Sequence, residues 1–203
     1  MRARLRALVR GLGVAAHVVS GLGLAALVAL DPAQRLDRLR MARWWHARLL
    51  RILHVRVQMH GAVQAGGHLS VANHVSWLDI PVRAAQAPTR FIAKSEIRDW
   101  PVAGWLATAS GALYLRRGNH HARTLLDRLV PLLVKQQSVT LFPEGTTTDG
   151  RSLRSFHARL FAAAIEAECP VQPVALHYEA TPDGREIAPF IGDDDLLSHL
   201  LRV

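Results

Sequence analysis

Asn73-His74-Val75-Ser76-Trp77-Leu78-Asp79 sets an imidazole and a carboxylate five residues apart, directly after the alternating run His68-Leu69-Ser70-Val71-Ala72. That run reads as a strand, and Trp77 to Ala87, apolar with a proline early, reads as a helix. The pair therefore falls in a strand-to-helix loop. Inside one straight helix, five residues at roughly 100° each would leave the two side chains about 140° apart. With His74 just ahead of the helix and Asp79 in its first turn, the backward tilt of helical Cα–Cβ bonds aims the carboxylate at the imidazole instead. Asp79 then holds one ring nitrogen and leaves the other free as a general base. A plainer reading stands beside this one. Ser76-x-x-Asp79 has the form of a helix capping box, with His74 an ordinary loop histidine. A histidine and an aspartate at this spacing match by chance too often to decide between the two.

Outward from the loop, short apolar runs alternate with helical stretches from Val55 onward, which is the signature of an α/β fold. Strands are expected at Val55 to Met59, His68 to Ala72, Arg90 to Ala93, Ala112 to Leu115, Val139 to Phe142 and Val171 to Leu176. Helices are expected at Ile97 to Ala109, Ala122 to Val134 and Ser155 to Glu168, the second strained or divided at Pro131. Pro173 implies that its strand lies at an edge or pairs irregularly. No repeat, low-complexity tract or interdomain linker interrupts the pattern.

Ahead of Val55 the character changes. Arg2, Arg4, Arg6 and Arg10 precede a run from Gly11 to Leu30 that contains no Asp, Glu, Lys or Arg and is about as long as a bilayer core is thick. Four glycines and His17 dilute its hydrophobicity. It reads as a membrane anchor, with a cleaved signal peptide as the competing reading. After the Asp31-Pro32 turn, Arg35, Arg38, Arg40, Arg43, Arg48 and Arg51 share a helical stretch with Leu36, Leu39, Trp44, Trp45, Leu49, Ile52 and Leu53. Tryptophan at headgroup level and snorkelling arginine suit a membrane surface, although a soluble amphipathic helix packed on the core has the same pattern. The division this predicts is a membrane-associated helical hairpin over residues 1–54 and an α/β domain over residues 55–203.

The 203 residues suffice for a real core, and half of them are hydrophobic. The formal charge is +9, from 25 basic and 16 acidic residues, so the surface attracts anions. Anionic lipid and nucleic acid both qualify by charge. The arginines gather beside the apolar segment and no recognition motif for nucleic acid is present, so no nucleic-acid partner is expected. Cys169 is the only cysteine, which excludes an internal disulfide, and no Cys/His cluster has zinc-site spacing.

Three further clusters follow strands, where open α/β sheets place their ligands. Phe142-Pro143-Glu144-Gly145-Thr146 offers a carboxylate acceptor, a close-approach glycine and a hydroxyl, or else a turn with a capping threonine. Gly111 to Gly118, reading GALYLRRG, ends in Arg116 and Arg117, whose planar forks suit a phosphate or simply a solvated strand end. Val171-Gln172-Pro173-Val174-Ala175-Leu176 reads as structural.

Taken in order and at these intervals, NHVSWLD, GALYLRR, FPEGT and VQPVAL resemble the four motifs of the PlsC-like lysophospholipid acyltransferases, whose best-known members are 1-acylglycerol-3-phosphate acyltransferases. The likeness runs from about Arg40 to Leu176 and includes Lys94-Ser95-Glu96. It implies a glycerolipid acyltransferase-like sheet flanked by helices, preceded by an N-terminal membrane-binding helical hairpin. It implies His74 as general base and Asp79 as its orienting partner. Arg117 would bind the anionic group of the acceptor, with Glu144, Gly145 and Thr146 shaping the acceptor site. The implied co-substrate is acyl-CoA or acyl carrier protein, with no cofactor and no metal, and the implied setting is the cytoplasmic face of the inner membrane.

The implied acceptor is a lysolipid, with 1-acyl-sn-glycerol 3-phosphate placed first and lyso-ornithine lipid as the alternative. The chain departs from many relatives in carrying Arg116 where they have aspartate, and His157 and Arg159 where they have lysine and glycine. FPEGTTTDG, SFHARLF and APFIGDDD are similar to the lyso-ornithine lipid branch. The chain also ends at Val203, sooner than most relatives, so a terminal strand or helix is expected to be missing. Two rivals remain. A hydrolase would need a nucleophile, and no GxSxG elbow is present; a non-catalytic basic membrane-binding module would need only the charge.

Overall fold

Leu69–Ala72 (β1), Arg90–Lys94 (β2), Leu113–Leu115 (β3), Val139–Leu141 (β4) and Val171–Val174 (β5) form one sheet in the order β3-β2-β4-β1-β5, every neighbouring pair parallel. The structure is a computed structural model that describes residues 2–115 and 121–203. Seven α-helices accompany the sheet among these residues: α1 (Arg2–Ala29), α2 (Arg38–Ile52), α3 (Asp79–Gln86), α4 (Ala103–Ala109), α5 (His121–Val134), α6 (Ala162–Glu166) and α7 (Leu196–Arg202).

Because strand side chains alternate, the sheet has two unlike faces. Leu69, Val71, Val139 and Leu141 point into Leu125, Leu129 and Leu133 of α5 and Ala163 and Ala164 of α6, and this is the main core. Each leucine fully buried there contributes roughly 1.5 to 3 kcal/mol. The opposite face is polar where β1 and β4 carry Ser70 and Thr140. Thr140 shares a 2.8 Å hydroxyl contact with Thr89, and Ser70 Oγ accepts a hydrogen bond from Arg83 of α3. Arg83 is 3% exposed, and a second guanidinium nitrogen lies 3.4 Å from His68 Nε2. His68 Nδ1 is 3.0 Å from the Gly66 carbonyl, so the ring donates there and keeps Nε2 as an acceptor. Burial, the main cause, pushes the His68 pKa down and keeps the ring neutral beside the arginine.

The two amino-terminal helices pack on each other and on the domain. Trp45 of α2 stacks on His17 of α1, ring centroids 4.2 Å apart, and its Nε1–H donates to the His17 carbonyl at 3.1 Å. Gly21 makes room for that indole, since a Cβ there would come within 2.8 Å of it. Arg43 of α2 donates to the Ala85 carbonyl of α3 at 3.1 Å, and α1 also meets α4.

Several expected elements change shape. Val55 to Met59 is not a strand. His54 turns left-handed at φ +59° to end α2, Val55 N–H returns to the Leu50 carbonyl, and Val55 packs beside Leu49, Leu53 and Leu78 while Val57 and Met59 stay exposed. Ile97 to Ala109 is split at Pro101 into a 3₁₀ turn, Ser95–Asp99, and α4. Ser155 to Glu168 is helical only from Ala158, first as a 3₁₀ turn to Phe161 and then as α6. Pro131 sits inside a continuous α5, and Pro173 lies on β5, an edge strand as expected.

Candidate active site

Between the end of β1 at Ala72 and the start of α3 at Asp79, the chain wraps around one carboxylate. Asp79 is fully buried. Its Oδ2 accepts from the Val75 amide at 2.7 Å, from the Ser76 amide at 3.0 Å and from His74 Nδ1 at 2.7 Å. Its Oδ1 accepts from the Tyr178 hydroxyl at 2.7 Å. Four donors thus hold the anion with no arginine or lysine among them. Asp79 is the first residue of the helix and His74 lies outside it, so the backward tilt of the side chain brings the two together. Half of the capping box forms as well. The Asp79 carboxylate bonds the Ser76 amide, while among the described residues the buried Ser76 hydroxyl has no hydrogen-bond partner.

Because Nδ1 donates to the carboxylate, the lone pair of His74 sits on Nε2. The His74 side chain is 19% exposed, and no side chain among the described residues bonds Nε2. Phe142 stacks on its ring, with centroids 4.1 Å apart. The loop backbone is fastened from several later segments. Glu144 accepts from the His74 amide through Oε1 and from the Arg154 amide through Oε2, both at 2.9 Å. Thr148 N–H donates to the His74 carbonyl at 2.8 Å, and Phe190 N–H to the Val75 carbonyl at 2.9 Å. Asn73 extends the sheet by one step through its side chain, donating to the Leu176 carbonyl and accepting from the Leu176 amide.

The structure therefore brings His74, Asp79 and Glu144 together, with Glu144 turned inward onto main-chain amides and 5% exposed. Gly145 follows at φ +70°, with the His157 ring so close that a Cβ there would lie 3.1 Å from Nε2. Glycine is required at that position both by the left-handed backbone and by the ring. Thr146 is half-buried on the same turn. Arg116 and Arg117 lie outside the described residues. Sequence reasoning missed Tyr178, whose bond to Asp79 spans 99 residues, and the part Phe142 plays as a wall for the imidazole. One signal for Tyr178 existed: it is one of two tyrosines and stands just past the fourth motif.

A second space opens nearby. An apolar cavity of about 230 Å³ lies between α1, α2, α4 and β2, bounded by Leu24, Val28, Trp45, Phe91, Ile97 and Leu106 among others. Phe91 in its wall stacks on Phe142, centroids 6.3 Å apart, so two rings separate the cavity from His74. Such a space accepts hydrocarbon and little else. Among the described residues no group of three His, Cys, Asp or Glu side chains is placed to hold a metal ion.

Residues 54–177 match the protein-family model described as Acyltransferase. The chain is 49% identical over 210 residues to a lyso-ornithine lipid O-acyltransferase of Pseudomonas aeruginosa, which covers 99% of this chain and 80% of that protein. It is 37% identical over 180 residues to a protein of the same description from Rhizobium meliloti, spanning 80% of this chain and 61% of that one. A 1-acyl-sn-glycerol-3-phosphate acyltransferase of Neisseria gonorrhoeae is 39% identical over 138 residues, or 68% of this chain and 54% of that one. The crystal structure of a 1-acyl-sn-glycerophosphate acyltransferase, PlsC, from Thermotoga maritima shares the fold at a TM-score of 0.63 and 21% identity, covering 98% of this chain and 91% of that one.

Proposed function

Because the chain belongs to the PlsC-like lysophospholipid acyltransferase family, and is thereby an O-acyltransferase for lysophospholipid-type acceptors, we propose that its acceptor is lyso-ornithine lipid. The donor is acyl-CoA or acyl carrier protein. The sequence motifs alone placed 1-acyl-sn-glycerol 3-phosphate first. The relatives favour the alternative, since likeness to a lyso-ornithine lipid O-acyltransferase extends over 99% of the chain and likeness to a 1-acyl-sn-glycerol-3-phosphate acyltransferase over 68%.

The observation that carries the chemistry is the 2.7 Å bond between His74 Nδ1 and Asp79 Oδ2. His74 Nε2 takes the proton of the acceptor hydroxyl as its oxygen attacks the thioester carbonyl. The tetrahedral intermediate collapses with cleavage of the C–S bond, and the proton passes from the imidazolium to the departing thiolate. Asp79 holds the tautomer and stabilises the imidazolium in between. General-base action supplies typically 10² to 10⁴-fold, and positioning the two substrates supplies more. The apolar cavity beyond Phe142 takes the acyl hydrocarbon. Glu144 shapes the acceptor site by fixing the His74 backbone, Gly145 and Thr146 line the turn beside it, and Arg117 meets the anionic group of the acceptor.

The chain acts at a membrane. Leu8–Ala29 is 22 residues long and apolar enough to cross one, and Leu8, Val9, Leu12, Val19 and Leu27 are exposed along it. We assign residues 1–54 as the membrane-associated hairpin, residues 55–203 as the catalytic domain, and the cytoplasmic face as the working side. Exposed Trp44, with Arg48 over its ring at 5.7 Å, supports an interfacial position for α2.

The test is purified protein with labelled acyl donors and matched lyso-ornithine lipid and 1-acyl-sn-glycerol 3-phosphate, products resolved by mass spectrometry. Ornithine lipid as the main product is expected. A kcat/KM at least tenfold higher for the phosphate acceptor would overturn the acceptor assignment.

A further inference from the structure

Tyr178 lies four residues beyond the end of β5 and outside all four motifs, yet its hydroxyl donates to Asp79 Oδ1 at 2.7 Å. It packs against the apolar cluster of Leu49 in α2, Leu53 at its C-cap and Leu78 of the loop that holds Asp79. Asp79 Oδ2 is saturated by three donors, whereas Tyr178 is the one donor to Oδ1 among the described residues. The carboxylate is fully buried, so no solvent compensates if that donor is lost.

We propose that Tyr178 is a positioning residue for acyl transfer, occupying the Asp79 oxygen that His74 does not use. It thereby fixes the carboxylate plane and its aim at His74 Nδ1. The proposal rests on the reading of His74 and Asp79 as the catalytic pair. Rotation of Asp79 about its Cβ–Cγ axis would cost the tyrosine contact, so the carboxylate stays aimed at Nδ1. Tyr178 stays protonated throughout, because burial and then the Asp79 charge hold its pKa far above the ordinary tyrosine value.

The other charged and titratable groups nearby are engaged elsewhere. Glu144 bonds main-chain amides, Arg83 bonds Ser70 beside His68, and Arg43 of α2 bonds the Ala85 carbonyl. His199 of α7 accepts from Trp77 Nε1 at 3.0 Å, His157 lies against Gly145, and His177 and Glu179 are exposed. Among the described residues none of them bonds the side chain of His74 or Asp79.

Tyr178→Phe keeps the ring in its apolar cluster and removes the hydroxyl alone. In the full-length protein we expect kcat to fall about tenfold, with the KM for the lysolipid within about twofold. The KM for the acyl donor should likewise stay within about twofold, so that the loss falls on kcat, as expected when the aim of the base and not substrate binding is disturbed. A folded variant with kcat within about twofold of wild type would overturn the assignment. If the phenylalanine variant does not fold, 3,5-difluorotyrosine in place of Tyr178 is the second probe. It is a stronger donor of nearly the same size and should change kcat by more than about twofold with both KM values held; an unchanged kcat overturns the proposal equally. His74→Ala run alongside separates the two levels. An active His74→Ala removes the catalytic pair and this proposal with it, whereas an inactive one beside a wild-type-like Tyr178→Phe removes only Tyr178.

Discussion

Phe142 lies flat on the imidazole of His74, ring centroids 4.1 Å and planes 14° apart. A face contact of this kind leaves Nδ1 on Asp79 and Nε2 open at the ring edge, and blocks the ring from swinging out of the plane that Asp79 sets. Phe142→Leu keeps apolar volume and removes the flat wall. Turnover should fall several-fold, with thermal stability lowered by about 1 kcal/mol; unchanged turnover would show that Asp79 alone orients the ring.

His74→Ala should lower turnover by at least ~10²-fold with the circular dichroism spectrum unchanged, because the base is lost and the sheet does not depend on it. Asp79→Asn should be equally severe. An amide in that place turns one of its two acceptor positions into a donor, facing either the Tyr178 hydroxyl or the His74 and main-chain N–H groups. Near-wild-type turnover in either folded variant would refute the roles assigned to the pair.

Gly21→Leu tests the seam between α1 and α2. A Cβ at position 21 already meets the Trp45 indole at 2.8 Å, and residue 21 also bounds the apolar cavity. Overpacking there should cost about 1 to 3 kcal/mol in thermal unfolding. Turnover with long acyl donors should drop further than with short ones. Equal losses across chain lengths would mean that the hydrocarbon does not occupy this space.

His46 of α2 predicts acid sensitivity of the helix pair. Burial, first, and the neighbouring His17, second, lower its pKa from 6.5 to about 4. The unfolded chain therefore binds a proton that the folded chain refuses. Stability from this group is intact above pH 6.5 and declines as pH falls toward 4. Melting temperatures measured from pH 7 to 4.5 should fall less steeply in His46→Leu than in wild type, and identical slopes would place the acid sensitivity elsewhere.

What could be read in advance follows from how local each signal was. The stretch from Asn73 to Asp79 declared its geometry because the loop, the first helical turn and both polar side chains lie within seven residues. Strand positions from β1 to β5 were legible for the same reason, with ends shifted by one or two residues. Val55 to Met59 misled because alternation predicts one buried side, whereas only Val55 packs against the protein and Val57 and Met59 are exposed without a partner strand. Glu144 reads as a ligand contact in sequence. The structure shows its two oxygens clamped on the amides of His74 and Arg154, a use that depends on segments 10 and 70 residues away. Tyr178 was beyond reach because nothing near it in sequence announces a carboxylate 99 residues upstream.

The strand order also governs when the protein can come into being as the ribosome releases it. β1 emerges first but pairs only with β4, beginning at Val139, and with β5, beginning at Val171. The first strand pair available to the growing chain is instead β2 with β3, Ile92 opposite Leu113. Until about two thirds of the chain has been made, the Asn73–Asp79 loop lacks the β4 and β5 pairings of its strand, and the apolar α1 has chiefly α2 and α4 for cover. Parallel pairings this distant in sequence form slowly and leave sticky edges exposed meanwhile. Early capture of α1 by lipid would shield the nascent chain during that interval, so expression without membranes should yield aggregate in proportion to how long translation pauses before Val139.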